Sequence, residues 1–355
     1  MKISIIVPIY NVHNYIEKCL DSVICQECDN YALECILVND CTPDDSMSII
    51  ERKLRNYVGL IDFVIVNHEV NKGLSASRNT GVQHASGDYV LFLDSDDRLE
   101  VCALKYMMDA LKTEKVKNSN VDVIIGNTFI CKDGKPSMSY KSDDAFFLDN
   151  STELALRCLL NRELYHTAWN KLLKRDFLLK NNISFKEGII DEDLLWSYFV
   201  FNYSQGVLVI PQITYIYEDN PGSIMNTTSK RIVQRIMSRI TICNMILDLP
   251  PRFSYVEYYM YVFYIMTRAI NLYEQNKTDN LVREYSKDLF MLRNRLLRGV
   301  FHKRFFLMYA FFLTAKKPLY AVNNYWWFRR YYDKIANCIV VVSNKIRSFK
   351  SIPIA

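Results

Sequence analysis

One pattern in residues 1–99 constrains the fold more than any other: short apolar runs, each stopped by a polar cluster and followed by a stretch of helical spacing. Ile3-Ser-Ile-Ile-Val7 reads as a buried strand closed by Pro8. Ile16, Cys19, Leu20 and Val23 recur at helical intervals, with Asn14 placed to cap the helix they imply. Residues 34–38 make a second strand that stops at Asn39-Asp40, residues 46–57 a second helix and residues 61–66 a third strand. A helix over 74–85 then leads to a fourth strand, 88–93, which runs into Asp94-Ser-Asp-Asp97. Strands alternating with helices predict an α/β fold, a mostly parallel central sheet with helices on both faces. Ligands of such sheets sit at the carboxyl ends of the strands. Pro8-Ile-Tyr10-Asn11, Asn39-Asp40 and the Asp94 cluster all fall there, so three strands aim polar groups at one edge.

Downstream, spacing predicts a helix over 101–112, a strand over 121–125, a polar mobile segment over 132–149, and helices over 152–161 and 174–181. The acidic run Asp191-Glu-Asp193 follows. Past Ser229 the pattern is helical and rich in aromatics, which puts a boundary near residues 225–230.

Asp94-Ser-Asp-Asp97 carries the chemistry. Three carboxylates within four residues repel one another unless a cation sits among them. Hard oxygen ligands suit Mg²⁺ or Mn²⁺, which use one or two carboxylates and complete their shells with water and substrate phosphates. Such an ion neutralises charge building on a departing diphosphate. The competing reading is a solvated turn with Asp as turn former. The neighbouring motifs decide between them.

Ile3-Ser-Ile-Ile-Val-Pro-Ile-Tyr-Asn11, Leu37-Val-Asn-Asp40, Asn71-Lys-Gly-Leu-Ser-Ala-Ser-Arg-Asn-Thr-Gly81 and Ser86-Gly-Asp-Tyr-Val-Leu-Phe-Leu-Asp-Ser-Asp-Asp97 resemble, in order and spacing, the nucleotide half of family 2 glycosyltransferases, which have the GT-A fold. The resemblance continues through Ala168-Trp-Asn-Lys-Leu172 and Phe185-Lys-Glu-Gly-Ile-Ile-Asp-Glu-Asp193 to Tyr217 and Gly222-Ser223. It implies a catalytic domain over 1–225, divided into a nucleotide-binding half (1–100) and an acceptor half (101–225), with a helical, basic-aromatic region over 226–355. It also implies roles. Pro8, Tyr10 and Asn11 would line the base pocket, and Asp40 would accept from the uracil ring edge. Lys72, Ser75 and Arg78 would face the ribose and diphosphate, and Asp94 and Ser95 the ribose or sugar. Asp96 would bind the metal, with Asp94 as a second candidate. Asp193 would be the catalytic base, paired with Glu192 and rivalled by Asp191.

The residues carry their own reasons. A strand-end Asp accepts from an imide N–H, which cytosine lacks, so Asp40 favours uracil or thymine; turn duty before Thr42-Pro43 is its alternative. Lys72 and Arg78 supply positive charge where a diphosphate would lie, and Arg78 can equally pair with an Asp of the cluster. Where the family often has Asp-Gly-Ser, this chain has Asp40-Cys-Thr42; little effect is expected, although the bulkier Cys41 can alter the ribose pocket. An inverting transfer needs one carboxylate to take the acceptor hydroxyl's proton while that oxygen attacks from the side opposite the diphosphate. Repulsion from Asp191 and Glu192 would raise the pKa of Asp193 for that task. The same acids suit the start of a helix over 194–201, and the two duties are compatible. Trp169 either stacks on a sugar or fills core; His13, His68 and His84 read as surface or packing residues.

The net charge of +5 is uneven, since residues 291–355 hold thirteen Lys or Arg against one acid, Asp333, leaving the remainder net acidic. Phe301, Phe305, Phe306 and the run Tyr325-Trp-Trp-Phe328 are interleaved with them, which suits an interfacial helix on anionic lipid. A solvated basic face is the alternative. No nucleic-acid recognition motif accompanies these residues, so no nucleic acid is expected as a partner. The ten cysteines are scattered, several in apolar runs, as in a reducing compartment. Cys25-Gln-Glu-Cys28 lacks the second pair that a zinc ribbon needs. The opening apolar run is too short for a signal peptide, and the longest uncharged apolar stretch, 305–315, has eleven residues against the ~20 that span a bilayer. The expected location is cytoplasmic, peripheral on the inner face of the cell membrane.

Together these features predict a metal-dependent, inverting glycosyltransferase that moves a hexosyl group from a UDP-sugar to a hydroxyl of a glycan or lipid-linked acceptor, in capsule, O-antigen or exopolysaccharide synthesis. A sugar-nucleotide nucleotidyltransferase is the alternative enzyme. It would not need Glu192-Asp193, and no glycine-rich triphosphate loop lies near the N-terminus. A non-catalytic sugar-nucleotide-binding protein is disfavoured by carboxylates for both metal and base.

Overall fold

The computed structural model describes residues 1–26, 30–113, 119–132, 135–138, 145–149, 164–218, 220, 228–252 and 255–302. Its first half follows the predicted alternation: β1 (Lys2–Ile9), α1 (Ile16–Ile24), β2 (Ala32–Asn39), α2 (Ser46–Arg55), β3 (Asp62–Asn67), α3 (Leu74–His84) and β4 (Tyr89–Phe92). Then come β5 (Arg98–Leu99), α4 (Ala103–Ala110), β6 (Val123–Lys132), β7 (Lys135–Met138), β8 (Phe146–Asp149), β9 (Lys171–Lys174), α5 (Arg175–Lys180), α6 (Glu192–Tyr203) and β10 (Gly206–Tyr217). Four helices close the described chain: α7 (Ser229–Leu247), α8 (Tyr255–Asn276), α9 (Asn280–Arg283) and α10 (Ser286–His302).

The strands form one sheet in the order β3-β2-β1-β4-β9-β6-β10-β5, with β7 on β6 and β8 on β10. β1 to β4 pair in parallel. β9 then runs antiparallel to both β4 and β6, so the sheet is mixed beyond β4. Lys171-Leu-Leu-Lys174 is too short to show a strand period, which is why spacing missed it. β10 was hidden by Pro211 and by register shifts between Val209 and Tyr215. The segment 132–149, expected to be mobile, supplies β7 and β8, which hydrogen-bond to β6 and β10. Asn14 does not cap α1: Tyr15 holds that position, without a side-chain bond. The predicted helix over 152–161, Cys28 and Gly222-Ser223 lie outside the described residues.

β1 is apolar throughout because both its faces are covered. Ile3, Ile5, Val7 and Ile9 meet the layer of α1, α2 and α4, while Ile6 faces the opposite layer, which holds α6 and α8. α3 lies against β1 at Gly81, where a Cβ would stand 2.2 Å from Ile6 Cγ2. Ile242 of α7, Tyr261 of α8 and Leu296 of α10 join the same core as Ile6 and Phe92, so the helical region and the sheet share one interior. Among the described residues, no helix is long and apolar enough to cross a membrane.

Candidate active site

A cleft of about 1150 Å³ opens at the carboxyl ends of β1, β2 and β4. Every residue singled out from the sequence as a site candidate lines it: Pro8, Tyr10 and Asn11; Asp40; Lys72, Ser75 and Arg78; Asp94, Ser95 and Asp96; Asp191, Glu192 and Asp193.

At the end of β1, Tyr10 is 44% exposed. Asn11 takes a left-handed φ of 56°, which Asn tolerates, and its N–H donates to Thr42 Oγ1 at 2.9 Å. Cys41 is also left-handed, φ 55°, and exposed. That backbone is what the family's glycine would suit. Cys41 accepts the strain and lies outside the cleft lining.

Asp40 is buried and builds the adjacent loop. Its Oδ1 accepts from His68 Nδ1 at 2.7 Å and Lys72 N–H at 2.8 Å, and its Oδ2 accepts from Gly73 N–H at 2.8 Å. Gly73 needs its freedom here, with φ 88° just before α3. Three bonds leave about one of a carboxylate's roughly four acceptor directions for a ligand. His68 is the packing residue expected, also bonded to Thr80 Oγ1 at 2.9 Å.

Arg78 is buried at the centre of the cleft. Its Nη2 donates to Asp94 Oδ1 and its Nη1 to Glu192 Oε1, each at 2.7 Å, and its guanidinium lies 5.1 Å from the Phe185 ring centroid. It therefore ties the end of β4 to the start of α6. Lys72 remains the exposed cation beside it. Ser75 Oγ is buried without a hydrogen-bond partner, the state expected of a group that a ligand completes.

The acidic cluster divides by its partners. Asp97 turns inward, accepting from Tyr215 OH at 2.7 Å and Glu218 N–H at 2.9 Å. Asp96 accepts from Asn220 Nδ2 at 2.9 Å, and burial, then the nearby Asp94, push its carboxyl up. Among the described residues, no group of three or more His, Cys, Asp or Glu side chains could hold a metal unaided. Asp94 and Asp96 alone remain, a set that fits an ion completing its shell with phosphate oxygens and water.

Asp193 differs from every other acid in the cleft. Among the described residues, no hydrogen bond or ion pair engages its carboxylate. Burial first, then Glu192 and Asp191, lift its pKa to about 7. Burial therefore outweighs the like-charge repulsion that the sequence suggested. Asp191 caps α6 with a left-handed φ of 59° and pairs with Arg235 and Arg239 at 3.2 and 2.7 Å.

Spacing alone missed two features. Lys171, quoted in a motif without a role, is 1% exposed and donates to the Thr167 carbonyl; burial lowers its pKa to about 7, while Asp193 acts to raise it. Lys230, Arg231, Arg235 and Arg239 of α7, with Arg268 of α8, line the same cleft. The signal was present as basic residues four apart. Trp169 lines the cleft, stacked on Tyr215 at 4.5 Å between centroids. His166 is a packing group, stacked on Tyr264 at 5.2 Å and held by burial at a pKa of about 3.

A parallel strand edge bearing paired aspartates, joined in one cleft by a half-buried acid on a later helix, is the architecture of a GT-A glycosyltransferase. The glycosyl transferase family 2 model matches residues 4–180, and the chain belongs to that family. It is 32% identical over 228 residues to EpsJ of Bacillus subtilis, described as an uncharacterized glycosyltransferase, covering 62% of each chain. It is 30% identical over 261 residues to glycosyltransferase GlyA of Streptococcus pneumoniae, covering 68% of this chain and 34% of that one. The chain thus spans 62% of the length of EpsJ and 34% of that of GlyA. The crystal structure of S. aureus TarS 1-349 in complex with UDP-GlcNAc superposes with a TM-score of 0.67 at 20% identity, covering 92% of this chain and 89% of that one. At that identity the likeness speaks for the fold.

Proposed function

We propose that this glycosyltransferase moves a hexosyl group from a UDP-sugar to a hydroxyl of a glycan or lipid-linked acceptor, inverting the anomeric centre, with Mg²⁺ or Mn²⁺ as cofactor. The observation that carries this reading is the Asp193 carboxylate, which no hydrogen bond or ion pair engages among the described residues, in the same cleft as Asp94 and Asp96. Pro8, Tyr10 and Asn11 receive the base, and the free acceptor direction of Asp40 takes an imide N–H. Lys72 and Ser75 bind diphosphate oxygens, and Asp94 and Ser95 orient the ribose or sugar. Asp96, with Asp94 beside it, would hold the cation, which supplies charge neutralisation on a diphosphate leaving group.

Asp193 accepts the acceptor hydroxyl's proton as that oxygen attacks. A base poised near neutrality balances the ionised fraction against proton affinity. Arg78, by gripping Asp94 and Glu192, holds donor and base in register. Asp191, committed to two guanidiniums, is the poorer base. The TarS complexes with UDP-GlcNAc and UDP support a uridine nucleotide, and the name of TarS, a poly(ribitol-phosphate) beta-N-acetylglucosaminyltransferase, supports a role in surface-polymer synthesis.

Asp193→Asn tests the assignment. Cation-dependent UDP binding, read by calorimetry, persists, while transfer falls about 10²–10⁴-fold. Transfer at the wild-type rate in that variant overturns the base. Attachment to an anionic membrane face is proposed for the tail beyond His302, which lies outside the described residues. Residues 291–302 belong instead to α10, whose Leu292, Leu296 and Val300 are core. A chain ending at His302 should lose sedimentation with anionic vesicles and keep its fold.

A further inference from the structure

α7 carries Lys230, Arg231, Arg235 and Arg239 and no acid. Spacing of four residues puts the three arginines on one helix face, and that face lines the cleft together with Arg268. Asp191 answers this wall by pairing with Arg235 and Arg239. One carboxylate between two guanidiniums leaves positive charge in excess, and Lys230 and Arg268 add to it. The cluster is built into the fold: the Arg239 side chain is 4% exposed, and its Nη1 donates to the Arg268 carbonyl at 3.0 Å. Burial, Arg235 and Arg268 all work against the Arg239 charge, so the group gains from a further anion.

The position of the wall says whose anion that is. Asp94 and Asp96 stand at the end of β4 and Lys72 in the loop before α3, whereas the α7 wall meets the chain at Asp191, two residues before Asp193. An anion there lies on the acceptor's side of the base. Guanidinium forks fit carboxylate and phosphate alike, but an excess of more than one positive charge fits phosphate better. We infer that the acceptor carries a phosphate near the hydroxyl it presents to Asp193, and that Lys230, Arg235, Arg239 and Arg268 bind it. This inference rests on the proposed donor and base assignment.

The test uses the full chain with Mg²⁺ and saturating UDP, so that the donor site is filled. Glycerol 3-phosphate is then titrated by calorimetry and thermal shift, with glycerol and ionic-strength-matched KCl as controls. The ester binds beside UDP and the controls do not. In Lys230→Gln/Arg235→Gln its Kd rises about tenfold or more while the UDP Kd moves less than about twofold, a difference of at least one charge-assisted bond. Unchanged UDP affinity also reports that this variant is folded, and the exposed Lys230→Gln alone shifts the ester in the same direction. Asp191→Asn, which keeps a residue tolerant of left-handed φ, tightens the ester. The inference is overturned if UDP displaces the ester, if the α7 variant weakens UDP as much as the ester, or if no ester binds beside UDP. Should UDP fail to bind while the ester still depends on α7, the anion site stands and the nucleotide reading falls.

Discussion

The two walls of the cleft are made by different means. The wall at the strand ends is acidic and nearly local: Asp40 follows β2, Asp94 and Asp96 follow β4, both strands run parallel to the β1 between them, and the loop before α3 is pinned to Asp40 by backbone N–H groups. The facing wall is basic and drawn from distant stretches, with α6, α7 and α8 aligned by burial of residues such as Leu195, Ile236, Ile242 and Tyr261. Strand ends place side chains by backbone geometry alone, whereas helix faces are placed by packing. The first wall is therefore rigid by construction, and the second is as rigid as its core. Arg78 belongs to both.

The largest expected effect comes from removing that shared group. Arg78→Met leaves buried Glu192 facing Asp94 without a cation between them, and stability falls by about 3–5 kcal/mol in urea unfolding. Arg78→Lys keeps the charge without the fork and loses less. A wild-type midpoint for Arg78→Met would mean that the walls stand independently.

On the helical wall, Asp193 gives an effect on pH dependence. Its folded carboxyl, lifted to about 7 by burial and by Glu192 and Asp191, holds its proton more tightly than the unfolded chain does. Its contribution to stability is thus fully present in acid and is lost as pH rises through about 7. Asp193→Asn should gain about 1–2 kcal/mol over wild type at pH 8 and close to nothing at pH 4, allowing for screening in a partly open site. Wild-type kcat/KM should climb about tenfold per pH unit in acid and level off above about 7, a limb absent from the variant's residual rate.

On the strand wall, Gly81→Ala drives a Cβ to 2.2 Å from Ile6 Cγ2. Overpacking should exceed the gain in helix propensity by about 1 kcal/mol, and an Ile6→Ala background should abolish the difference. Smallest of all, Asn14→Ala should stay within about 0.5 kcal/mol, because Tyr15 occupies the cap position.

The same contrast explains what could be read from the chain before its folding was known. Pro8, Tyr10, Asn11, Asp40, Asp94, Ser95 and Asp96 reached the cleft because an apolar run and its polar stop are neighbours in sequence and in space, whereas Lys72, Ser75 and Arg78 reach it from the loop before α3 and from α3 itself. The division of labour inside Asp94-Ser-Asp-Asp97 was not legible, since Tyr215 and Glu218 decide it from the far end of β10. Nor was the double duty of Asp40, which depends on the loop at Lys72 and Gly73 folding back over β2. The arginines of α7 were visible as a spacing, but charged helix faces ordinarily point to solvent, and only the packing of α7 against α8 turns this one inward. Asp193 lines the cleft, but repulsion was the reason legible in sequence for its raised pKa, because burial is a property of the assembled core.

The Arg78 bridge has a consequence for anyone who would recombine such enzymes. A chimaera that grafts a foreign segment for residues 101–225, the proposed acceptor half, onto residues 1–100 inherits a sequestered guanidinium with one of its two arms unanswered unless the incoming segment brings an acid at the place of Glu192. The two parts of the chain are thus not freely exchangeable modules here. Crossover points that keep Arg78, Asp94 and Glu192 as an inherited trio should yield folded hybrids far more often than those that separate them.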